Sequence, residues 1–272
     1  AWRRAGDLAD LGLALAEAFL ARGDQVLAGD LAEERPAILP EQVVYRRLDV
    51  RQQQDWDAAA AWVSQEWGGL DILCNNAGVA AGGRIDVEAM SEWERVIDIN
   101  LLGVVRGCQT FVPMLKEQRS GHIVNTASLA GLVHAPGMAS YNATKAAVVA
   151  VSETLGFELE PFGIKVSVVC PAFFRTNLHL SFEGKDEALH EAGTKLITRA
   201  KKTPQEIAVT VIAGIESGKR VILTDSHGRA ITAAKRFARP LYNRAVARGG
   251  RALAARSGVP LPTRESSATC AP

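Results

Sequence analysis

The sequence predicts an α/β fold, a three-layer, doubly wound parallel sheet with helices on both faces. Two observations support this prediction. Strand-like and helix-like segments alternate along most of the chain, and polar residues follow directly after several of the strand-like segments. Because open parallel sheets bind ligands at the carboxyl ends of their strands, these polar residues mark the candidate site.

The spacing of the apolar residues gives the elements in order. Helices are expected at residues 11–22, 56–67, 91–115 and 139–159. Strands are expected at residues 25–30, 43–50, 122–128 and 165–172, and a strand with a turn at residues 70–78. Ser91 and Glu94 have the spacing of a capping box, so the third helix is expected to begin at Ser91.

Composition excludes several classes of protein. Hydrophobic residues make up 47% of the 272 residues and charged residues 22%, which is typical of a globular domain, and one α/β domain accounts for the length. The sequence contains no apolar run long enough to cross a bilayer. The formal net charge of +1 gives no overall electrostatic case for binding nucleic acid.

The cysteines and the N-terminus predict the compartment. Cys74, Cys108, Cys170 and Cys270 do not have CxxC spacing, which favours a reduced, cytoplasmic protein and predicts no metal site. Residues 1–12 do not have the apolar core of a secretory signal, so export is not expected.

Tyr141 and Lys145 are the first candidates for chemistry. They are four residues apart in a predicted helix, so their side chains lie on one face. An ammonium near a phenol favours the phenolate and lowers the phenol's pKa from about 10 toward the range useful for proton transfer. Such a pair alone is common on solvated helix faces. Ser128, at the end of the preceding predicted strand, adds a hydroxyl that can hydrogen-bond to a substrate oxygen.

With these residues the chain resembles the short-chain dehydrogenase/reductase family. The resemblance rests on NNAG at 75–78, Asn100 in DINLLG, Ser128, YNATK at 141–145 and PAFFRT at 171–176, and it covers roughly residues 5–225. It implies a Rossmann fold, a nicotinamide cofactor, and a homotetramer or homodimer. It also implies an oxidoreductase that moves hydride between the cofactor and an alcohol or carbonyl compound.

The resemblance also implies a role for each site residue. Tyr141 is the general acid/base, Ser128 orients the substrate oxygen, and Lys145 lowers the pKa of Tyr141 and holds the nicotinamide ribose. Asn100 positions a water in the proton relay. The implied cofactor contacts are Gly6, Leu11, Gly12, Asp30, Asp49, Val50, Asn76, Thr176, Tyr141 and Lys145. In a purely structural alternative, Asn76 and Asn100 tie strands and helix together through buried hydrogen bonds.

Asp30 indicates the form of the cofactor. It ends a predicted strand, where a carboxylate accepts both adenosine-ribose hydroxyls and repels a 2′-phosphate. This favours NAD over NADP. The alternative is that Asp30 caps a helix that follows it.

The N-terminal segment departs from the family pattern. The family has an apolar first strand and a TGxxxGxG turn, whereas this chain has AWRRA and then AGDLADLG at residues 5–12. Arg3 and Arg4 do not suit a strand buried on both faces, which predicts a degenerate first strand. Asp10 replaces the middle glycine, and a carboxylate about 4 Å from a pyrophosphate costs several kcal/mol at an effective dielectric of about 20. Either the N-terminus is altered relative to a working enzyme, which we favour, or the chain is a catalytically silent scaffold with impaired cofactor binding.

The sequence indicates the substrate less specifically than it indicates the cofactor. Ser128, Tyr141, His134 and Phe173 are the expected contacts, and their apolar neighbours favour a hydrophobic secondary alcohol or ketone. His134 is alternatively an exposed bystander. The polar segment 177–202, too irregular for a core element, is a candidate lid over the substrate or, alternatively, a surface helical excursion.

Residues 229–272 form a basic extension to the domain at 1–228. Between Asp225 and Glu265 the chain has no acidic residue, while Arg and Lys accumulate. Apolar residues at three- to four-residue steps predict an amphipathic helix kinked by Pro240, and the end of the chain is expected to be disordered. The helix either lies on an anionic membrane surface, as in a membrane-surface accessory protein, or packs on another subunit, which we favour.

Overall fold

The computed structural model describes residues 10–182 and 186–256. The strands are β1 Leu27–Asp30, β2 Val44–Arg47, β3 Ile72–Asn75, β4 Gly121–Thr126, β5 Ile164–Cys170 and β6 Val221–Leu223. The α-helices are α1 Leu11–Ala21, α2 Gln53–Trp67, α3 Met90–Ile97, α4 Gly103–Gln118, α5 Ala139–Glu158, α6 Glu187–Thr198, α7 Pro204–Glu216, α8 Ser226–Phe237 and α9 Arg239–Arg256. A π-helical segment spans Asp98–Leu102, and 3₁₀ turns span Leu129–Gly131, Glu160–Phe162 and Asn177–Ser181.

The described strands form two parallel sheets. One contains β1 and β2, and the other has the strand order β3-β4-β5-β6. In the second sheet β4 pairs with β5 in parallel over six residues, from Gly121 opposite Ile164 to Thr126 opposite Val169. β1 and β3 both line a cavity of about 660 Å³, together with residues of α1, α2 and α4. The expected α/β architecture with parallel strands is confirmed.

Apolar side chains on both faces of β4 pack against helices, which gives the structure its helix-sheet-helix layers. Ile123 packs in a core with Leu115 of α4 and Val148 of α5. Its neighbour Val124 packs in a second core with Leu15 of α1 and with α7. Since successive strand side chains point to opposite faces, both faces of this strand are covered by helices. A sheet buried in this way leaves its strand ends as the places for exposed polar chemistry.

The long helix expected at residues 91–115 is present but differs in two ways. It begins at Met90 after Ala89, whose side chain makes no capping bond, so the predicted capping box at Ser91 is wrong. The helix is also interrupted by the π-helical segment Asp98–Leu102. A capping box does occur before α7, where Thr203 and Glu206 exchange side chain to backbone hydrogen bonds.

Other elements also differ from those that the sequence predicts. The strand expected at residues 43–50 ends at Arg47. Segment 177–202, a candidate lid or a surface helical excursion from its sequence, contains helix α6. The single kinked helix expected in the basic extension is wrong, because the chain breaks between α8 and α9 at Ala238 and Pro240 lies in the first turn of α9. The expected degenerate first strand, Gly6 and the disordered end fall in residues 1–9 and 257–272, outside the described residues.

Gly131→Ala tests how tightly the turn after β4 packs on α5. A Cβ at residue 131 would lie 2.5 Å from the carbonyl oxygen and 2.7 Å from the carbonyl carbon of Lys145. Because these are backbone atoms, they yield only if α5 shifts, and we expect a loss of about 2 kcal/mol in the free energy of unfolding.

Gly249→Ala is the matched control, since a Cβ there would meet nothing within 4 Å. It adds a methyl group in a helix and is expected to cost nothing. Urea unfolding followed by circular dichroism measures both variants. Equal stability of the two would contradict the close packing at Gly131.

Candidate active site

Ser128 lies just beyond the carboxyl end of β4. Its hydroxyl accepts a hydrogen bond from the N–H of Ala130 at 3.1 Å and caps the 3₁₀ turn that follows. The N–H of Leu129 donates to the carbonyl of Pro171 at 2.8 Å, which fastens this turn to the segment after β5. Ser128 is therefore held between the ends of two central strands.

Tyr141 enters the same region from the first turn of α5. It is only 7% exposed and packs with Val79, Val96 and Met138. Burial raises the pKa of Tyr141, and a hydrogen bond with Ser128 partly offsets that rise. The pKa of Tyr141 is therefore raised in this arrangement and not lowered as expected, because loss of water around the phenol outweighs the other effects.

Lys145 lies one helical turn after Tyr141 and is also buried. Its Nζ donates to the carbonyl of Thr126 at 2.9 Å and lies 5.9 Å from the centroid of the Tyr141 ring. Burial lowers the pKa of Lys145 to about 8. A lysine in this range changes its charge close to neutral pH.

Asn100 lies inside the π-helical segment and is fully buried. Its Oδ1 accepts from the N–H of Val79 at 2.8 Å, and its Nδ2 donates to the carbonyl of Val79 at 2.9 Å. The structural role considered for Asn100 is thus present. A Cβ at Gly78 would lie 3.1 Å from Asn100 Oδ1 and 3.3 Å from Lys145 Nζ, so the NNAG turn, the π-helical segment and α5 meet at one point.

Three of the expected cofactor contacts line a second cavity of about 140 Å³, namely Asp30, Asp49 and Val50. Asp30 Oδ1 accepts from the N–H of Leu31 at 2.5 Å, and no helix follows within residues 31–43, so the helix-cap alternative is wrong. The pKa of Asp49 is lowered, because hydrogen bonds and the charge of Arg51 outweigh the opposing effect of burial. The carboxylate of Asp30 at the wall of this cavity suits the hydroxyls of an adenosine ribose.

The remaining expected cofactor residues are more dispersed. Asn76 lines the larger cavity and its Oδ1 accepts from Thr126 Oγ1 at 3.1 Å, as in its structural alternative. Gly12 also lines that cavity, whereas Leu11 is buried in the apolar core. Thr176 lies at the start of the 3₁₀ turn after β5 and accepts from the N–H of Leu178.

Asp10 occupies the N-terminus of α1. Its carboxylate is buried and accepts from Thr176 Oγ1 at 2.6 Å and from the N–H of Asn177 at 2.7 Å. It makes no capping bond to its own helix. A diphosphate placed at this helix N-terminus would meet a carboxylate already bonded to the loop after β5. The residues thus fit the adenosine end of a dinucleotide but not its diphosphate while Asp10 keeps these bonds.

The two remaining substrate candidates, Phe173 and His134, are both exposed. The ring of Phe173 is half exposed. His134 is exposed, its backbone N–H donates to the hydroxyl of Tyr242 at 3.2 Å, and its ring lies 3.2 Å from Lys235 Nζ. The structure therefore ties His134 to the C-terminal helices, while Ser128 and Tyr141 meet at the centre.

Contacts that the spacing of residues did not reveal hold the segment after β5. Ser181 Oγ accepts from the N–H of Ala80 at 2.7 Å. The carboxylate of Asp186, which is buried, pairs with Arg84 at 2.8 Å. Arg84 and Ala80 belong to the loop after the NNAG turn, so this loop and the candidate lid are joined at two points.

Comparison with known proteins places this geometry in a family. A family model for short chain dehydrogenases matches residues 5–186. The chain belongs to the short-chain dehydrogenase family. It is therefore an oxidoreductase that acts on CH–OH groups and has the nucleotide-binding, Rossmann-like fold of that family, whose members use NAD or NADP.

Three relatives illustrate the similarity. A 3-alpha-(or 20-beta)-hydroxysteroid dehydrogenase of Mycobacterium bovis is 35% identical over 175 residues, 63% of this chain and 67% of the relative. A 2-(R)-hydroxypropyl-CoM dehydrogenase of Xanthobacter autotrophicus is 34% identical over 61% of this chain and 70% of the relative. A short chain dehydrogenase/reductase from Burkholderia phymatum, solved in complex with NAD, is 28% identical with a TM-score of 0.79 over 85% of this chain and 91% of that one.

The pKa of Lys145 makes the stability of this short-chain dehydrogenase depend on pH. The folded-state pKa, about 8, lies below the ordinary lysine value of 10.5, so the unfolded chain binds more protons between these limits. Stability from this group therefore rises with pH in that window. Relative to Lys145→Met, the wild-type chain is expected to gain up to about 1.4 kcal/mol per pH unit between about pH 8 and pH 10.

Urea unfolding at several pH values measures this difference. Lys201→Met, which removes an exposed lysine, controls for the loss of one positive charge. If the difference in the free energy of unfolding between wild type and Lys145→Met stayed constant from about pH 7 to 10, this would contradict a buried lysine with a lowered pKa.

Replacing Asp10 tests whether its carboxylate obstructs the cofactor. Asp10→Gly removes both the charge and the bonds to Thr176 and Asn177, and Asp10→Asn removes the charge alone. Because like charges about 4 Å apart repel by a few kcal/mol, we expect both variants to bind NAD at least about tenfold more tightly. Isothermal titration gives the dissociation constants. Binding that is unchanged in both variants would show that the carboxylate does not oppose the diphosphate.

Proposed function

We propose that this short-chain dehydrogenase transfers hydride between NAD(H) and a hydrophobic secondary alcohol or ketone, with Tyr141 as general acid/base. The observation that supports this most directly is the meeting of three polar groups in an apolar setting. Ser128 lies close enough to Tyr141 to lower its pKa, and Lys145 Nζ lies 5.9 Å from the centroid of the tyrosine ring. All three come from segments that end or begin at the carboxyl edge of the second sheet.

The proton chemistry follows from the burial of these groups. Because burial raises the pKa of Tyr141, the phenol keeps its proton at neutral pH and can donate it to a carbonyl oxygen. Ser128 donates a second hydrogen bond to that oxygen and fixes its position relative to the phenol. Lys145, with a pKa of about 8, is the neighbouring group that can supply or take up a proton near neutral pH. The dinucleotide supplies or accepts the hydride when it is bound.

The polar atoms of Asn100 are directed to the backbone of Val79. In the proposed site its side chain holds the turn around Gly78 against Lys145. As the family resemblance implies, Asn100 also positions a water in the proposed proton relay. Thr176 beside the nicotinamide, with Asn76 near the adenosine ribose, completes the proposed cofactor contacts.

We infer a preference for NAD over NADP from the charges around the smaller cavity. Asp30 ends β1 there, where its carboxylate suits ribose hydroxyls and repels a phosphate. The nearby basic groups already have acidic partners, since Arg51 pairs with Asp49 at 2.6 Å and Arg47 with Asp55 at 2.6 Å. A 2′-phosphate would have to compete with these carboxylates.

The apolar surroundings of Tyr141 support a hydrophobic substrate. Its partners in the core are aliphatic, and Ala130 and Met138 pack against them from the turn and loop between Ser128 and Tyr141. The name of the Mycobacterium bovis relative, a hydroxysteroid dehydrogenase, is in keeping with an apolar alcohol. Phe173 and His134 would contact the outer part of such a substrate, and a homodimer or homotetramer is the proposed assembly.

A catalytically silent scaffold is the second candidate, and a specific observation favours it. The buried carboxylate of Asp10 at the start of α1 occupies the region where the diphosphate would bind. If cofactor binding fails, the same fold persists without chemistry. The two candidates differ in one measurable property, binding of NAD by the wild-type chain.

Tyr141→Phe tests the proposed reaction. The reaction is followed at 340 nm with NAD and a panel of hydrophobic secondary alcohols, including hydroxysteroids. Loss of the phenolic proton is expected to reduce kcat by about a thousandfold, since general acid/base catalysis contributes roughly 10²–10⁴. The affinity for NAD should stay the same, which separates chemistry from binding.

Phe157→Tyr, an exposed aromatic change in α5 far from Tyr141 in sequence, is the control and should keep full activity. Turnover that survives in Tyr141→Phe would contradict the assigned role. NAD binding without turnover of any alcohol in the panel would contradict the proposed substrate class, and failure to bind NAD would favour the scaffold.

A further inference from the structure

The last two described helices, α8 and α9, contain basic residues and no acidic ones. Residues 226–256 contain eight Lys and Arg residues and no Asp or Glu. Six of the arginines are exposed, namely Arg229, Arg236, Arg239, Arg244, Arg248 and Arg251. A surface of one sign attracts a partner of the opposite sign at short range.

The inner side of these helices is fixed to the loop between Ser128 and Tyr141. Lys235 of α8 donates to the carbonyl of Leu132, and Tyr242 of α9 is buried with its hydroxyl bonded to the N–H of His134. A Cβ at Gly137 would lie 3.0 Å from a methyl group of Leu253, so the far half of α9 also lies on this loop. These contacts decide which side of α9 faces outward.

The outward side combines arginines with large apolar side chains. Phe237, at the end of α8, is 80% exposed, and Leu241, in the first turn of α9, is 65% exposed. Leu241, Arg244 and Arg248 follow at helical spacing on the side opposite Tyr242. We call the surface formed by Arg236, Phe237, Leu241, Arg244 and Arg248 the basic corner.

We propose that the basic corner binds an anionic lipid bilayer, with Phe237 and Leu241 inserted among the headgroups and the arginines on lipid phosphates and carboxylates. Juxtaposed cations and protruding apolar side chains are the combination that such an interface favours. A polyanion such as nucleic acid would use the arginines but would leave Phe237 and Leu241 in water. No described helix is long and apolar enough to span a membrane.

Binding at the basic corner would bring the active-site loop to the bilayer. The residues that fix the corner, Lys235 and Tyr242, bond to Leu132 and His134, between Ser128 and Tyr141. An apolar alcohol dissolved in the bilayer would then be close to the proposed site. The lipid contact itself does not require that the chain turn over any substrate.

Co-sedimentation of the full chain with vesicles tests the proposal. Anionic vesicles are made of phosphatidylcholine with about 30% phosphatidylserine. They are compared with pure phosphatidylcholine vesicles at about 0.1 M salt. The wild-type chain is expected to sediment with the anionic vesicles only. Arg244→Glu with Arg248→Glu is expected to weaken that binding at least about tenfold, since each cation contributes roughly fivefold.

Two matched controls separate the basic corner from general effects. Phe237→Ser with Leu241→Ser is compared with Ile38→Ser and Val209→Ser, which remove apolar side chains that are 63% and 67% exposed elsewhere. The arginine variant is compared with Lys165→Glu and Lys219→Glu, which lie near the amino ends of β5 and β6. Circular dichroism confirms that every variant is folded.

Each outcome decides the proposal. Loss of anionic-vesicle binding in both basic-corner variants, with both controls unchanged, supports it. Absence of wild-type binding to anionic vesicles, or equal losses in the controls, overturns it. Binding to a DNA duplex that exceeds vesicle binding and does not change in Phe237→Ser with Leu241→Ser would also overturn it, in favour of a nucleic acid.

Discussion

Burial of β4 and β5 on both faces is the constraint on which the site depends. Ile123 and Val124 point into different apolar cores, so neither face of β4 is open to a ligand. Polar chemistry is confined to the segments that follow the strands, where Ser128 comes after β4 and Thr176 after β5. The bond from Lys145 to the carbonyl of Thr126 then fixes α5 to the end of β4, which sets the position of Tyr141 relative to Ser128.

The same packing explains the protonation of the site. Tyr141 and Lys145 lie in the first turns of a helix whose inner face is buried, and both lose water. Burial favours the uncharged form of each, which raises the pKa of the phenol and lowers that of the ammonium. The phenol of Tyr141 therefore keeps its proton at neutral pH, and Lys145 loses its charge more readily than an exposed lysine. The phenol can then donate its proton to a substrate oxygen.

Asp10, at the N-terminus of α1, changes what the fold can bind. Its carboxylate satisfies the hydroxyl of Thr176 and the N–H of Asn177 from within the chain. A carboxylate and a diphosphate have the same sign of charge, and both seek donors near a helix N-terminus. In the function proposed above, this competition decides between a working dehydrogenase and a scaffold with the same architecture.

Features set by local pattern could be predicted from the sequence. The strands at β4 and β5, the helix α5 and the order of the motifs around Asn100, Ser128 and Tyr141 depend on periodicity and short spacings. The bond between Asp10 and Thr176 joins residues 166 positions apart, and spacing does not predict such a contact. The direction of the Tyr141 pKa also depends on burial, which exists only after packing.

The other differences between the predicted and the observed structure lie at helix ends and in contacts between residues far apart in the sequence. The pattern at Ser91 suits a capping box, but the chain enters the helix one residue earlier. The same pattern at Thr203, which is followed by a proline in the first turn, does form one. The basic extension has helical spacing, but Tyr242 and Lys235 make its contacts with the loop at His134, and helical spacing does not show which distant residues they meet.

Transfer of deuterium tests the central claim most directly. The chain at high concentration is mixed with saturating NAD and a hydrophobic secondary alcohol deuterated at the carbinol carbon, and the nucleotide is analysed by mass spectrometry. The account predicts that the reduced nucleotide carries the deuterium, and that Tyr141→Phe forms none on the same time scale. Recovery of unlabelled NAD alone, from folded wild-type protein across the panel of alcohols, would contradict it.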